Sequence, residues 1–168
     1  MFTWLNPVVS RWNLCTAYKF GPEGAGSLAK GIVTLTKKTE MGSPLRRLNL
    51  MASRMRNKGA MAVAGAMGQG GMTRLESLNM SSACRRVDVC SRPLPHMCLR
   101  LAANNIQHRG ITALSKSLTC KRHRGMLELD LSYNGFGDPG VEALAEAVTA
   151  GALPALERLR LACTCDYW

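Results

Sequence analysis

The chain has 168 residues, of which 46% are hydrophobic and only 5% aromatic, and its formal net charge is +11. This length fits one domain with a core of Leu, Ala, Val and Met rather than of aromatic rings. Residues 1–125 carry 20 Lys and Arg against 4 Asp and Glu, whereas residues 126–168 carry 2 against 7. The basic part either attracts an acidic partner, nucleic acid or an anionic surface, or serves only solubility.

The cysteines and the hydropathy pattern indicate the cellular compartment in which we expect the protein. The seven cysteines are an odd number without the spacing of a disulfide framework, which favours a reducing environment. The N-terminal "MFTWLNPVVSRW" lacks a basic start and is interrupted by Asn6 and Pro7, so it is a poor secretory signal. The longest uncharged run, 59–73, holds five glycines and is too short to span a bilayer. We therefore expect a cytoplasmic protein without membrane association.

An internal repeat is the main structural signal in the sequence. The spacing apolar-x-x-apolar-x-apolar recurs and predicts six short strands, which start at residues 9, 45, 75, 96, 126 and 156. The copy at 9 is weak, and in the copy at 96 a histidine replaces the first apolar residue. The intervals are 36, 30, 21, 30 and 30 residues.

The segments that follow the strands repeat as well. An Asn or Ser in the bend is followed by a large apolar residue and then by a glycine, and we expect the Asn to bond backbone groups and the apolar residue to fill the layer beneath the bend. These triplets are Asn134, Phe136, Gly140; Asn104, Ile106, Gly110; and Ser53, Met55, Gly59; a looser first copy has Tyr18, Phe20, Gly24. Apolar helical stripes then follow at Ala25, Leu28, Ala29, Ile32; Ala60, Val63, Ala64, Met67; Ile111, Leu114, Ser115, Leu118; and Val141, Leu144, Ala145, Val148.

Two stretches, "LELDLSYNGFGDPGVEALAEAV" at 127–148 and "LRLAANNIQHRGITALSKSL" at 99–118, resemble leucine-rich repeats of the ribonuclease-inhibitor-like type. The resemblance extends over about residues 9–161 and implies an α/β leucine-rich-repeat solenoid, a horseshoe arc with parallel strands on the concave side and helices on the convex side. It also implies a non-catalytic protein-protein interaction scaffold that binds its partner through the concave strands. The chain would be a single domain, 1–168, of about five to six repeats.

The repeat pattern breaks at three places. Residues 81–95, in the degenerate repeat at 75–95, replace a helical half, so the convex side loses a helix there and the stack either tolerates a loop or kinks. Residues 35–44 look like a surface loop. The last repeat, 156–168, is truncated after its strand. Because solenoid ends need caps, we expect a piece of a longer array, a truncated product, or self-association through the C-terminal end.

Alternation along each strand places the residues between the inward leucines on the concave face. This face is polar and mostly basic, with one acidic rung between Arg100 and Arg158. Opposite charges on neighbouring strands can pair with each other and can also bind a partner, such as an acidic protein. The candidate partner-binding residues are Arg47, Asn49, Asn79, Arg100, Glu128, Asp130, Arg158 and Arg160, accompanied by Arg11, Asn13, Ser77 and Cys98.

Other chemistries have weaker support. Cys84, Cys90, His96 and Cys98, like Cys163 and Cys165, lack the Cys-x2–4-Cys spacing of zinc sites, so we expect no metal and no cofactor. The three histidines, His96, His108 and His123, belong to different repeats or loops, and we expect no enzyme. The alternative function is a basic nucleic-acid-associated protein in which "KRHR", 121–124, contacts phosphates, although stacking aromatics are scarce in the basic runs.

Overall fold

The computed structural model describes residues 11–13, 21–38, 46–49, 54–73, 75–81, 97–120 and 123–164. Strands and helices alternate along these segments, except that β3 is followed directly by β4. The strands are β1 Arg11–Asn13, β2 Arg47–Asn49, β3 Ser77–Asn79, β4 Met97–Arg100, β5 Met126–Asp130 and β6 Arg158–Arg160. The helices are α1 Pro22–Lys38, α2 Arg56–Gly68, α3 His108–Leu118 and α4 Gly137–Thr149.

The six strands form one parallel sheet in the order of the sequence, β1 to β6. Equivalent repeat positions are aligned from strand to strand: Leu48 pairs with Leu78, and Leu99 pairs with Leu129. A shift by one residue would turn every leucine to the opposite face, so this register is fixed by burial. The six strands predicted from the leucine spacing are confirmed.

The apolar faces of strands and helices meet in one core. Leu78, Leu99 and Leu129 from the strands are fully buried in the same cluster as Ile111 and Leu114 from α3. Leu101 and Leu131, which we expect in one inner row with Leu50, also lie in this cluster; Leu50 is outside the described residues. No described helix is both long and apolar enough to cross a bilayer.

Three of the four predicted helical stripes pack inward, and the fourth is partly wrong. Every member of the stripe that starts at Ile111 is buried, as is every member of the one that starts at Ala60. In α4, Leu144 is buried but Val141, Ala145 and Val148 are exposed. The spacing places these residues on one face of the helix, but only a further packed layer would bury that face.

Two buried asparagines join the bends of successive repeats. The Asn134 side-chain amide donates to the carbonyl oxygens of Leu131 and Leu101, at 2.8 and 3.0 Å. Its Oδ1 accepts from the backbone N–H groups of Asn104 and Ile106, both at 3.0 Å. Asn104 repeats the arrangement one layer earlier and donates to Leu101 O and Met80 O at 2.9 and 2.8 Å. The backbone-bonding role predicted for these residues is confirmed.

The large apolar residue after each bend is buried against the glycine four residues later. Phe136, Ile106 and Met55 are at most 1% exposed. A Cβ on Gly140 would lie 2.6 Å from Phe136 Cδ2, so a side chain does not fit without a shift of the ring. The equivalent Phe20 lies outside the described residues.

Among the described residues, the layer of β3 has a strand but no helix. Strand β3 separates β2 from β4, yet α2 and α3 are in direct contact. The Asn57 and Gln107 side chains bond across them at 2.9 Å, and Met55 N donates to Asn104 Oδ1 at 3.2 Å. This contact leaves no space for a helix between α2 and α3. Residues 82–96, where we expect either a loop or a kink, are outside the described residues.

Candidate functional site

The polar positions predicted for one face of the sheet form two rows in register. The first row contains Arg47, Ser77, Cys98, Glu128 and Arg158, and the second contains Asn49, Asn79, Arg100, Asp130 and Arg160. Arg11 and Asn13 align with Arg47 and Asn49 at the ends of these rows. The residues of the two rows are far apart in the chain but share one surface. They do so because parallel strands in sequential order repeat the same register.

Glu128 is the centre of an ion-pair cluster on this face. Glu128 is only 2% exposed. Its two carboxylate oxygens accept hydrogen bonds from Nε and Nη2 of Arg100 at 3.1 and 3.3 Å. This two-point contact matches the planar guanidinium and is stronger than a single-point contact. Arg158 Nη1 approaches the same carboxylate at 3.8 Å, with its side chain 61% exposed. The expected pairing of opposite charges on adjacent strands is confirmed.

Three positions expected on the open face are buried. Asn79 is 4% exposed, Glu128 is 2% exposed and Cys98 is 1% exposed. Alternation along a strand fixes the side of the sheet to which a residue points, but it does not fix how deeply neighbouring side chains cover it. The expectation of exposure is therefore wrong for these three residues, and a partner that approaches this face meets Arg158 and Arg160 before them.

A second carboxylate, which the sequence analysis missed, lies between arginines at the start of β3. Glu76 Oε2 is 3.4 Å from Arg47 Nε, and Glu76 Oε1 is 3.9 Å from Arg46 Nη1. All three side chains are substantially solvated, so each pair contributes at most about 1 kcal/mol. Glu76 precedes the strand, where alternation gives no orientation; its place next to Ser77 was the only available signal.

The balance of charge on this face is basic. Asp130 turns toward its own backbone, where its Oδ1 accepts from Ser132 N at 3.0 Å. Arg158 and Arg160 are exposed and Arg47 is about one-third exposed. We call Arg47, Arg100, Arg158 and Arg160 the arginine face.

Two asparagine side chains at the side of the arginine face have unused hydrogen-bonding atoms. Asn49 and Asn79 are aligned on β2 and β3. Asn79 Oδ1 accepts from Ser81 N at 3.1 Å, whereas Asn79 Nδ2 and Asn49 Oδ1 are buried without a hydrogen-bond partner. An amide N–H and an amide oxygen are complementary hydrogen-bonding groups, and these two residues lie on adjacent strands.

The structure also bears on the other candidate chemistries. In the basic run 121–124, Lys121 and Arg122 are outside the described residues, Arg124 is exposed and His123 is 3% exposed. His123 Nε2 lies 3.2 Å from Met67 O, so this histidine packs against α2. Cys84, Cys90, His96 and Cys165 are outside the described residues, and no group of three possible ligands is found among the residues that are described.

A comparison with protein families matches one segment of the chain. No curated protein is significantly similar to the chain. The family model described as a leucine-rich repeat matches residues 126–145, which comprise β5, the Asn134 bend and the first part of α4. These are the residues in which the strand, the buried asparagine and the glycine contact are all observed. The match supports a leucine-rich repeat at residues 126–145.

Proposed function

We propose that the whole chain, residues 1–168, is a single leucine-rich-repeat solenoid of the ribonuclease-inhibitor-like type. Support comes from the repeated strand register and from the repeated asparagine and glycine contacts outside the matched segment. Neighbouring strands lie about 4.8 Å apart, whereas packed helices need about 8–10 Å. A stack with one strand and one helix per layer therefore curves into a horseshoe arc, with strands on the concave side and helices on the convex side.

The direct contact between α2 and α3 across the β3 layer modifies this curvature. Two steps of the sheet, from β2 to β4, amount to about 9.6 Å, close to the distance between two packed helices. The sheet and helix layers then have nearly equal lengths across this part of the chain. We infer that the solenoid is locally straight at β3 and curved in the layers that follow.

The function that we propose is a non-catalytic scaffold that binds an acidic protein partner through the arginine face. Leucine-rich repeats generally serve as protein-interaction modules and are generally not enzymes. The observation that supports this function is the alignment of Arg47, Arg100, Arg158 and Arg160 on one sheet, with Arg158 and Arg160 exposed. Such a row steers an acidic surface and fixes its register. The free thiols at Cys120 and Cys163 suit the reducing cytoplasm.

The test uses an acidic polypeptide, fluorescein-labelled poly-Glu, and a short single-stranded DNA, both followed by fluorescence anisotropy. Charge reversal in Arg47→Glu combined with Arg158→Glu should weaken poly-Glu binding by about tenfold, which corresponds to about 1.4 kcal/mol. The matched control reverses two exposed cations on the helix side, Lys116→Glu and Arg124→Glu, and should have a smaller effect.

The alternative, nucleic-acid association, predicts a different result. DNA binding that survives reversal of the arginine face, but is lost when residues 121–124 are neutralised, would contradict the proposed function. Equal effects of the two charge reversals on poly-Glu would show that only net charge matters, and would also contradict it.

A further inference from the structure

The surface formed by β6 and the outer side of α4 is apolar although it lies at the edge of the described fold. Leu159 is 41% exposed, Val148 is 44% exposed and Val141 is 38% exposed. The equivalents of Leu159 in earlier strands, Leu99 and Leu129, are completely buried. The sheet order ends at β6. We call β6 with these exposed residues the β6 edge.

The backbone of β6 also has capacity for another strand. Arg160 O accepts from Leu131 N at 2.9 Å, so the backbone groups of Arg160 face β5. Successive residues of a strand direct their N–H and C=O groups to opposite sides, and those of Leu159 therefore face the open side. An edge of this kind is a template for pairing with another extended segment.

The charges of the β6 edge select among possible occupants. A second copy that pairs by two-fold symmetry would place Arg158 and Arg160 against the same arginines. A head-to-tail copy would place Arg158 beside the register position of Arg11. Both arrangements bring like charges together on adjacent strands, which is destabilising.

Strand β5, the neighbour that β6 already has, shows which sequence pattern pairs with β6. On its paired side, Arg158, Leu159 and Arg160 align with Glu128, Leu129 and Asp130. The acidic, apolar, acidic pattern of β5 places a carboxylate beside Arg158 at 3.8 Å and a leucine in the core. The Arg158 side chain stays 61% exposed after this contact, so its guanidinium can also donate to a second carboxylate that approaches from the open side.

We propose that the β6 edge binds an extended segment of a partner protein with the pattern acidic, apolar, acidic, which adds as a seventh strand. Its carboxylates pair with Arg158 and Arg160, its backbone bonds to that of Leu159, and its apolar residue covers Leu159. This mode of binding is β-strand addition, in which the main chain supplies affinity and the side chains supply specificity. It goes beyond the proposed function, because it uses the edge of the sheet rather than its face.

The experiment titrates the full chain with a labelled synthetic peptide that has the sequence of residues 126–132, "MLELDLS", and measures fluorescence anisotropy. A second peptide with lysine in place of both acidic residues should bind at least about tenfold more weakly. Arg158→Glu combined with Arg160→Glu should reverse this preference. Arg47→Glu, which is remote from β6, tests the proposed function and should leave peptide binding unchanged.

A matched pair of variants tests the role of the backbone. Leu159→Pro and Leu159→Ala both remove the leucine side chain, but only proline removes the outward N–H group, and proline is tolerated on an open edge. Peptide binding should be at least about fivefold weaker for the proline variant than for the alanine variant, with unchanged circular dichroism for both. Equal affinity of the two variants, or of the two peptides, would overturn the proposal. A dimer in sedimentation that Leu159→Pro dissociates would also overturn it, because a second copy would then occupy the edge.

Discussion

Replacement of the buried Asn134 by alanine should be among the most destabilising single changes in this chain. The alanine leaves two buried backbone N–H groups, those of Asn104 and Ile106, without their acceptor. It also removes the Asn134 donor from the carbonyl oxygens of Leu131 and Leu101, of which Leu101 O keeps the bond from Asn104. Each orphaned buried donor costs about 1–2 kcal/mol, and the carbonyls add a smaller amount. We therefore expect a loss of about 3–5 kcal/mol in the free energy of unfolding.

Urea unfolding followed by far-ultraviolet circular dichroism measures this loss. With a slope of about 2 kcal/mol per M, the midpoint should fall by about 1.5–2.5 M. The control is Asn105→Gly in the bend of the preceding repeat, one residue after Asn104. Asn105 is exposed and its φ is +54°, a conformation that glycine adopts without strain, so the change should be within about 0.5 kcal/mol. A loss below about 1 kcal/mol for Asn134→Ala would refute the assignment of this residue as the link between successive layers.

Three further predictions follow from packing, from charge and from thiol exposure. Gly110→Ala should destabilise the fold by about 1–3 kcal/mol in the same urea assay, since its Cβ would lie 2.5 Å from the Ile106 side chain. Gly65→Ala, on the exposed side of α2 with nothing within 4 Å, should instead stabilise it by about 0.5–1 kcal/mol, and an equal loss for both would contradict the packing argument. Glu128→Ala should cost about 3–5 kcal/mol because it removes the two-point ion pair of the largely buried Arg100, whereas Arg158→Ala should cost less than about 1 kcal/mol. Similar losses in thermal or urea melts would disprove the central role of Glu128. Cys98, which is 1% exposed, should resist alkylation in the native state far longer than the exposed Cys120, as measured by peptide mass spectrometry, and equal rates would place it at the surface.

The arginine face and the β6 edge share Arg158 and Arg160, so one partner can use both surfaces. An acidic segment that adds to β6 would neutralise Arg158 and Arg160 and leave Arg47 available on the face. The affinity of a partner that engages both surfaces would exceed that for either alone, because the second contact is intramolecular. This coupling is consistent with a scaffold that recognises one end of an acidic protein.

Part of the candidate site was predictable because its position depends only on register. The leucine spacing assigns Arg47, Arg100 and Arg158 to the same side of the same sheet, and the parallel pairing confirms it. How deeply each of these side chains is buried was not predictable in the same way. Glu128 aligns with Arg158, and Asn79 aligns with Arg100. Both Glu128 and Asn79 are nevertheless buried, because burial depends on the length and direction of side chains from other strands.

The sequence by itself determined the repeating unit: the strand spacing, the asparagine in the bend and the glycine that follows it. These features are local, since a strand period and a turn depend on residues within one repeat. Only the tertiary structure showed that α2 contacts α3 across the β3 layer, that His123 packs beneath α2, and that Val148 and Leu159 remain exposed. Each of these depends on which layer lies next in space, and the pattern within one repeat does not specify its neighbour.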